Sequence, residues 1–358
     1  MARHPVFFTR KFPPSVGGME TLAAGVWSAL SQARPEARLI AYGGPNRGLP
    51  LWLPGAVGRL LWLIARRRVD VVLTGDALTF AIVSPMLRLF RLRHATMVMG
   101  LDLTFENHLY RAVVHPPLRR AAAVLAISSA TADEAAGFGV PPSRITVVRL
   151  GLQAPAVRPH AHSLARARLS RELGLAEDDT IVLTLGRLVR RKGGRWFVGE
   201  VLPRLASTVH YVLAGDGPEH EQVLAAAHRS GVASRVHLLG RVSDEQREVL
   251  MQGADVFVQP NVAVQGDVEG FGLVTVEAAL RGTPVVAADL EGIKDAVIAG
   301  RTGILLPSQE PELWAQCLTG LLNDLPALER AGRSFQQAAG EVYGAQAMAA
   351  SLLGALDL

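Results

Sequence analysis

The sequence predicts an α/β protein made of two doubly wound parallel-sheet domains that face each other across a cleft. Three observations carry the prediction. Short β-rich runs alternate with helical patterns along almost the whole chain, the alternation breaks once near the middle, and 358 residues, 49% of them hydrophobic, exceed what one core commonly organises.

Taken in order, the first half offers "VFFT" from residue 6, "RLIAYG" from 38, "VVLTG" from 71, "TMVMG" from 96 and "VLAIS" from 124. Short apolar runs bounded by turn residues suit strands buried on both faces of a parallel sheet. From about residue 152 to 178, Pro, His and charged residues replace that pattern. Strands resume with "IVLTLG" from 181, "HYVLAGDG" from 210, "RVHLLG" from 235, "VFVQPN" from 256, "PVVAAD" from 284 and "GILLP" from 303. The expected organisation is a first domain over 1–152, a linker region over 153–178 and a second domain over 179–325. Helices over 326–358 then cross back onto the first domain or, alternatively, pack wholly on the second. Ligands of such sheets bind beyond the carboxyl ends of the strands, which places the expected site in the cleft.

Composition narrows the functional classes. One cysteine, Cys317, excludes an internal disulfide framework and suits a reducing compartment. No cluster of His and Cys has metal-ligand spacing, so no metal is expected. The opening "MARHPVFFTRKFPPSVGG" lacks the apolar segment of a signal peptide, and no later run reaches about 18 uninterrupted apolar residues, so a cytoplasmic location is expected. Charge is uneven, with about 18 Lys+Arg against about 8 Asp+Glu up to residue 150, and about 19 against about 24 beyond it. A basic first half suits an anionic membrane or a phosphorylated substrate, with solvated arginine faces as the ordinary alternative. Nucleic acid is not an expected partner, because no recognition motif or aromatic-interleaved basic run is present. Only Lys11, Lys192 and Lys294 are lysines among 37 basic residues. Lys192 in "GRLVRRKGG" therefore marks a place where a compact point charge is wanted.

Three strand-to-loop junctions have the character of phosphate sites. In "FPPSVGGMETLAAGVW", Gly17 and Gly18 precede a helix whose free N–H groups suit an anion, although a glycine turn before a helix is common in any α/β fold. In "LTLGRLVRRKGG" a strand ends at Gly186 and presents Arg187 and Lys192 within six residues, a fork and a point charge suited to a diphosphate. In "LAGDGPE", Gly215 and Gly217 let the backbone approach a flat ring. No Walker pattern, no G-x-G-x-x-G after the first strand and no G-x-S-x-G elbow is present, which argues against P-loop, ordinary NAD and α/β-hydrolase chemistry. The first half also has no Asp-x-Asp after a strand, and Arg187 with Lys192 would supply the charge of a metal.

The stretch "DVEGFGLVTVEAALRGTPVV", residues 267–286, sets Glu269 and Glu277 around a Gly-Phe-Gly in an apolar run. The pattern is a helix entering a buried site, with Glu269 ahead of its N-terminus and Glu277 inside it. Buried carboxylates need polar partners. The simplest supply them structurally, Glu269 as a cap and Glu277 paired with an arginine.

"GRLVRRKGG", "LAGDGPE", "LLGRVSDEQ" and "EGFGLVTVEAALRGTPVVAADLEGIKDAV", in that order and spacing, resemble the family 4 retaining glycosyltransferases of the two-Rossmann (GT-B) fold. The likeness covers nearly all of the second domain, and "RKFPPSVGGMET" and "AISSATADEAAGFGVPPSRITVV" extend it more loosely into the first. The resemblance implies transfer of a sugar from a nucleotide-diphosphate-sugar to an acceptor hydroxyl with retained anomeric configuration, without a metal or other cofactor. Arg187 and Lys192 would neutralise the diphosphate, and Glu277 would accept hydrogen bonds from the ribose. Glu269 with the backbone of Gly270, Phe271, Gly272 and Leu273 would hold the sugar and phosphate. The backbone near Val242 would meet the base, and Gly17 with Gly18 would close on the phosphates. Leaving-group stabilisation would dominate catalysis, and Glu269 is not assigned as a nucleophile.

Two departures stand out. Met99 occupies the place of a common His, so Asp102 or His108 takes the polar role there or the contact is absent; and Leu150 stands where Asn is usual. The acceptor is expected on the first domain, where residues 58–68 and 86–94 mix Arg with Leu, Trp and Phe. That mixture suits a lipid-linked acceptor at an anionic membrane surface, in cell-envelope polysaccharide or glycolipid synthesis, with the protein peripheral on the inner face. A nucleotide-sugar epimerase or hydrolase on the same fold, and a non-catalytic nucleotide-sugar-binding subunit, are the rival readings.

Overall fold

The computed structural model describes residues 4–15, 17–148, 150–152 and 161–357. The chain divides into two compact units, residues 1–153 with 342–358, and residues 154–341.

The first unit holds β1 (Pro5–Thr9), β2 (Arg38–Ala41), β3 (Val71–Thr74), β4 (Arg93–Val98), β5 (Ala123–Ala126) and β6 (Ile145–Val147). Its helices are α1 (Gly18–Ala33), α2 (Leu49–Ala65), α3 (Ala77–Leu89), α4 (Leu101–Thr104), α5 (His108–Leu118) and α6 (Ser129–Gly137). The six strands are parallel in the order β2-β1-β3-β4-β5-β6. β1 and β3 are buried throughout, as near-continuous apolar runs in parallel sheets should be. β6 is the strand that the apolar pattern does not single out, because it lies at the sheet edge with Thr146 and Val147 exposed. One face is covered by α2, α3 and α5, whose Leu60, Leu63, Phe80, Leu87, Val114 and Leu118 share a core with Phe8, Val72 and Val98. Asp76, Asn107 and Ser128 start α3, α5 and α6 by accepting the N–H of Thr79, Tyr110 and Thr131.

The second unit holds β7 (Thr180–Leu185), β8 (Val209–Ala214), β9 (Val236–Gly240), β10 (Val256–Gln259), β11 (Val285–Ala288) and β12 (Ile304–Leu306), parallel in the order β12-β11-β10-β7-β8-β9. Its helices are α7 (Ala161–Leu173), α8 (Gly194–Trp196, continued as π-helix over Phe197–Val201), α9 (His220–Arg229), α10 (Asp244–Gly253), α11 (Leu273–Ala279), α12 (Ile293–Ala296), α13 (Pro311–Leu322) and α14 (Leu325–Tyr343). Phe197, Tyr211 and Trp314 cluster in its core. Residues 153–160 of the expected linker lie outside the described residues. Residues 161–173 differ from a linker: they form α7, which packs on α10.

The last helix, α15 (Ala345–Leu356), belongs to the first unit. The N–H of Leu152 donates to the Tyr343 carbonyl at 2.8 Å. Arg93 donates to the Leu356 carbonyl and the Asp357 carboxylate at 2.9 Å each. In each sheet the strand order reverses once, between β1 and β3 and between β7 and β10. Each reversal opens a crevice at the carboxyl ends of those strands.

Candidate active site

In the second unit the crevice is bounded by residues 186–193 after β7 and 260–272 after β10. The two loops touch closely. Gly193 has φ 71°, and an added Cβ would overlap the Pro260 carbonyl, so only glycine fits. The Val262 N–H donates to the Arg191 carbonyl at 2.9 Å. Gly215, at the end of β8, has φ 144° and an added Cβ there would overlap the Gly186 carbonyl. Its need for glycine thus lies in packing one strand end on the next.

Into this crevice the loops carry a buried charge cluster centred on Glu269. Lys192 Nζ lies 2.5 Å from Glu269 Oε2. Arg191 donates to the same oxygen through Nη1 and to Asp267 Oδ1 through Nε at 2.8 Å. Asn261 Nδ2 completes the set at 3.1 Å, itself held by Gln259 Nε2 at 2.8 Å. Oε1 of Glu269 accepts no hydrogen bond among the described residues, so one oxygen is locked and the other presented. Burial alone would raise the Glu269 carboxyl, but Lys192 and Arg191 outweigh it and hold it at about 2. Burial pushes the Lys192 ammonium below its ordinary value, and Glu269 only partly restores it. Arg187 is exposed, and its guanidinium has no hydrogen bond or ion pair among the described residues. It is a free cation beside a buried one.

The backbone from Glu269 to Gly272 is fixed by the loop after β11. The Glu269 N–H donates to the Glu291 carboxylate, and the Gly292 N–H to the Glu269 carbonyl at 3.1 Å. Glu291 sits at φ 49°, a left-handed conformation that a non-glycine residue adopts at a cost. Phe271 is buried, Gly272 turns the chain with φ 82°, and Leu273 opens α11. Within α11, Glu277 Oε2 accepts from Arg247 of α10, and Oε1 accepts nothing among the described residues. The arginine partner of the simple structural reading is therefore present, with one acceptor left over. Val242 is half-buried in the turn between β9 and α10, where Ser243 and Gln246 form a reciprocal cap. A cavity of about 1180 Å³ in this unit opens at the opposite edge among α7, α13 and α14; its Arg166 and Arg281 are already paired with Asp255 and Glu248.

In the first unit, Gly17 and Gly18 stand where β1 hands over to α1, beside a Lys11–Glu20 pair of 3.3 Å. Asp102 points inward. Its Oδ2 accepts the Ala77 N–H at 3.0 Å and its Oδ1 the Met99 N–H at 2.7 Å, so both oxygens serve the main chain. Burial raises its carboxyl to about 6 despite those hydrogen bonds, with nearby Asp76 adding to the rise. Asp76 is itself held by Arg10 Nε at 3.1 Å. His108 is exposed at the start of α5, and Leu150 is buried apolar packing.

Two family models match the chain, "Glycosyl transferases group 1" over residues 179–324 and "Glycosyltransferase Family 4" over residues 16–153. This chain belongs to glycosyltransferase family 4. A D-inositol 3-phosphate glycosyltransferase of Corynebacterium efficiens is 30% identical over 88% of this glycosyltransferase and 77% of that protein. The equivalent Nocardia farcinica protein is 35% identical over a shorter stretch, 57% of this chain and 45% of that one. The GDP-mannose-dependent alpha-(1-6)-phosphatidylinositol monomannoside mannosyltransferase of Mycobacterium tuberculosis is 29% identical over 91% and 92%. Among solved structures, Anabaena HepE in complex with UDP superposes with a TM-score of 0.78 over 99% of both chains at 21% identity, a likeness of fold. The transferase thus has two Rossmann-like domains of the GT-B type.

The structure brings together Arg187, Lys192, Glu269, Gly270, Phe271, Gly272 and Leu273 around one crevice, with Glu277 behind them on α11. Sequence reasoning missed Arg191, Asn261, Asp267 and Glu291. Only Arg191 carried a signal, as a third cation in "RRK" next to the singular lysine.

Proposed function

We propose that this glycosyltransferase takes a nucleotide-diphosphate-sugar as donor and transfers the sugar, with retention, to a hydroxyl of a lipid-linked acceptor. The observation that supports it most is the cluster at the β7–β10 crevice, where a buried lysine and a free arginine stand beside a carboxylate with one unoccupied oxygen. Lys192 neutralises Glu269. A diphosphate arriving between Arg187 and Lys192 competes for the ammonium, and Arg191 with Asn261 keeps Glu269 ionised when Lys192 turns to the phosphate. Glu269 Oε1 then accepts from a sugar hydroxyl, and the N–H groups of Gly270 to Leu273 meet phosphate and sugar oxygens. As the anomeric C–O bond breaks, its electron pair goes to the phosphate oxygen. There Arg187 and Lys192, already on the diphosphate, meet the new charge, and the acceptor oxygen bonds to the anomeric carbon on the same face while its proton passes to that phosphate oxygen. Arg187 and Lys192 do the work of a metal ion.

Glu277 Oε1 is assigned to the ribose, with Arg247 orienting the carboxylate. The turn at Val242 is assigned to the base, and Gly215 lines the donor site. In the first domain, Gly17 and Gly18 offer N–H groups ahead of α1, and Asp102 acts by setting the Met99 loop. The glycolipid reading draws on the Mycobacterium tuberculosis relative, whose name gives a GDP-mannose donor and a phosphatidylinositol monomannoside acceptor. The test is incubation with UDP-, GDP- and ADP-sugars and a lipid acceptor, with the product anomer read by NMR. Transfer with retention supports the reading, whereas an inverted product, or sugar release and isomerisation without transfer, would replace it with another chemistry.

A further inference from the structure

We propose that the outer face of α2 and α3 docks the protein on an anionic phospholipid bilayer, with Trp62, Leu89 and Phe90 entering the interface and arginines meeting the headgroups. This inference goes beyond the transfer reaction and does not depend on it.

α2 buries only Ala56, Leu60, Leu63 and Ile64 in the core of the first domain. A surface helix with one buried stripe ordinarily turns polar residues outward. α2 does not: its 17 residues include one charged side chain, the exposed Arg59, and its other exposed positions are Pro50, Leu51, Pro54, Gly55, Gly58, Leu61, Trp62 and Ala65. Within Asn46–Ala65 an 18-residue window has a mean hydropathy of 1.4, yet only 22% of that window is buried. Leu51 is 89% exposed and Trp62 48%. α3 covers the same face of the sheet and adds Leu89, 78% exposed, and Phe90, 47%. Exposed apolar residues concentrated on neighbouring helices of one sheet face are the kind of surface that marks a binding face.

Charge decides the occupant. Helices that follow parallel strands run the same way, so α2, α3 and α5 all end at the amino-terminal edge of the sheet. There they carry Arg66, Arg67 and Arg68, then Arg88 and Arg91, then Arg119 and Arg120. Arg88 of α3 donates to the Pro117 carbonyl of α5 at 3.2 Å, which fixes two of these ends side by side. Arg66 and Arg68 lie 5.1 and 5.9 Å from the centre of the Trp62 ring. An indole flanked by guanidinium groups belongs at a lipid–water interface. From residue 37 to 132 the only acids are Asp70, Asp76, Asp102 and Glu106. Asp76 and Asp102 are buried, Asp70 is half-buried, and Glu106 alone is exposed. A second copy packed through α2 and α3 would set arginine clusters against each other, with no exposed acid on either helix to meet them. Anionic headgroups supply that surface.

The test is sedimentation of the full chain, without donor, with vesicles of phosphatidylcholine alone or mixed with phosphatidylglycerol, at low salt and at roughly 0.5 M. Binding to the mixed vesicles is expected, at least tenfold weaker on the neutral ones and weaker again at high salt. The triple variant Arg66→Gln, Arg67→Gln, Arg68→Gln should lose affinity on the order of a hundredfold. Trp62→Ser with Leu89→Ser should lose at least tenfold, and unchanged thermal midpoints will show that these exposed substitutions leave the fold intact. Quenching of tryptophan emission by brominated lipids should vanish in Trp62→Phe. Equal binding to both vesicle types, vesicle binding unchanged in both variants, or a concentration-dependent dimer with no vesicle binding each overturns the proposal and leaves the transferase chemistry standing.

Discussion

Replacing Glu269 by Gln tests how the site is charged before any substrate arrives. The Glu269 carboxyl is held at about 2, against an ordinary 4.5, because Lys192 and Arg191 outweigh its burial. That difference corresponds to about 3 kcal/mol of stability. Because the folded value is the lower one, the stabilisation is complete above the ordinary value of 4.5 and is lost as pH falls from there towards 2. Glu269→Gln lacks it at neutral pH and leaves Lys192 without an ion-pair partner among the described residues and Arg191 with Asp267 alone. At roughly 2–4 °C per kcal/mol for a domain of this size, the second domain should melt about 6–12 °C lower at pH 7, and its acid sensitivity below about pH 4.5 should be flatter than wild type. Inorganic pyrophosphate should then stabilise the variant more than the wild type, since it supplies the missing negative charge to Lys192 without having to displace a carboxylate. Calorimetry with and without pyrophosphate reads all three. Wild-type melting in the variant, or equal protection of both proteins, would refute the argument that Glu269 and phosphate compete for one cation.

Arg187→Ala and Lys192→Ala should each lower turnover by about two orders of magnitude, roughly 3 kcal/mol of transition-state stabilisation, in a steady-state transfer assay; rates near wild type in both would remove the diphosphate assignment. Glu277→Ala should weaken nucleotide binding by about 1–3 kcal/mol in titration calorimetry, whereas an unchanged affinity would return Glu277 to the role of a structural partner for Arg247. The Asp102 carboxyl is raised to about 6 from 3.8, so its contribution is full below about pH 3.8 and is lost as pH rises through about 6. Asp102→Asn should abolish that part of the pH dependence of unfolding while losing one main-chain hydrogen bond, and a wild-type profile in the variant would mean that the buried carboxyl does not titrate there.

The fold was legible because its strands are buried on both faces, and runs such as "VFFT" and "IVLTLG" stand out without help from periodicity. β6 was not legible for the converse reason, being a three-residue edge strand with two exposed positions. α7 hid inside a stretch of Pro, His and charge where only Ala165 and Leu169 are fully buried apolar positions, too few to announce a helix. At the site, Arg187, Lys192 and Glu269 could be named from a strand end, a rare lysine and an acid in an apolar loop. Their mutual geometry could not: Arg191 and Glu291 reach the Glu269 segment only because strand order places β10 beside β7 and β11 beside β10, while Asn261 and Asp267 close on Glu269 and Arg191 through the path of a single loop. Asp102 shows the limit of residue type as a guide. A polar side chain next to Met99 suggested a partner for a substrate, and the fold turns it inward to hold two main-chain N–H groups.

The most direct test of the central claim is the thermal midpoint of the protein with UDP, GDP and ADP, each with and without EDTA, in wild type and in the Arg187→Ala, Lys192→Ala double variant. A nucleotide at about 100 times its dissociation constant stabilises by roughly 2.7 kcal/mol, enough to move the midpoint several degrees. One nucleoside diphosphate should raise the wild-type midpoint regardless of EDTA and leave the double variant unmoved. A shift that EDTA abolishes, or one that persists in full without both cations, would contradict it.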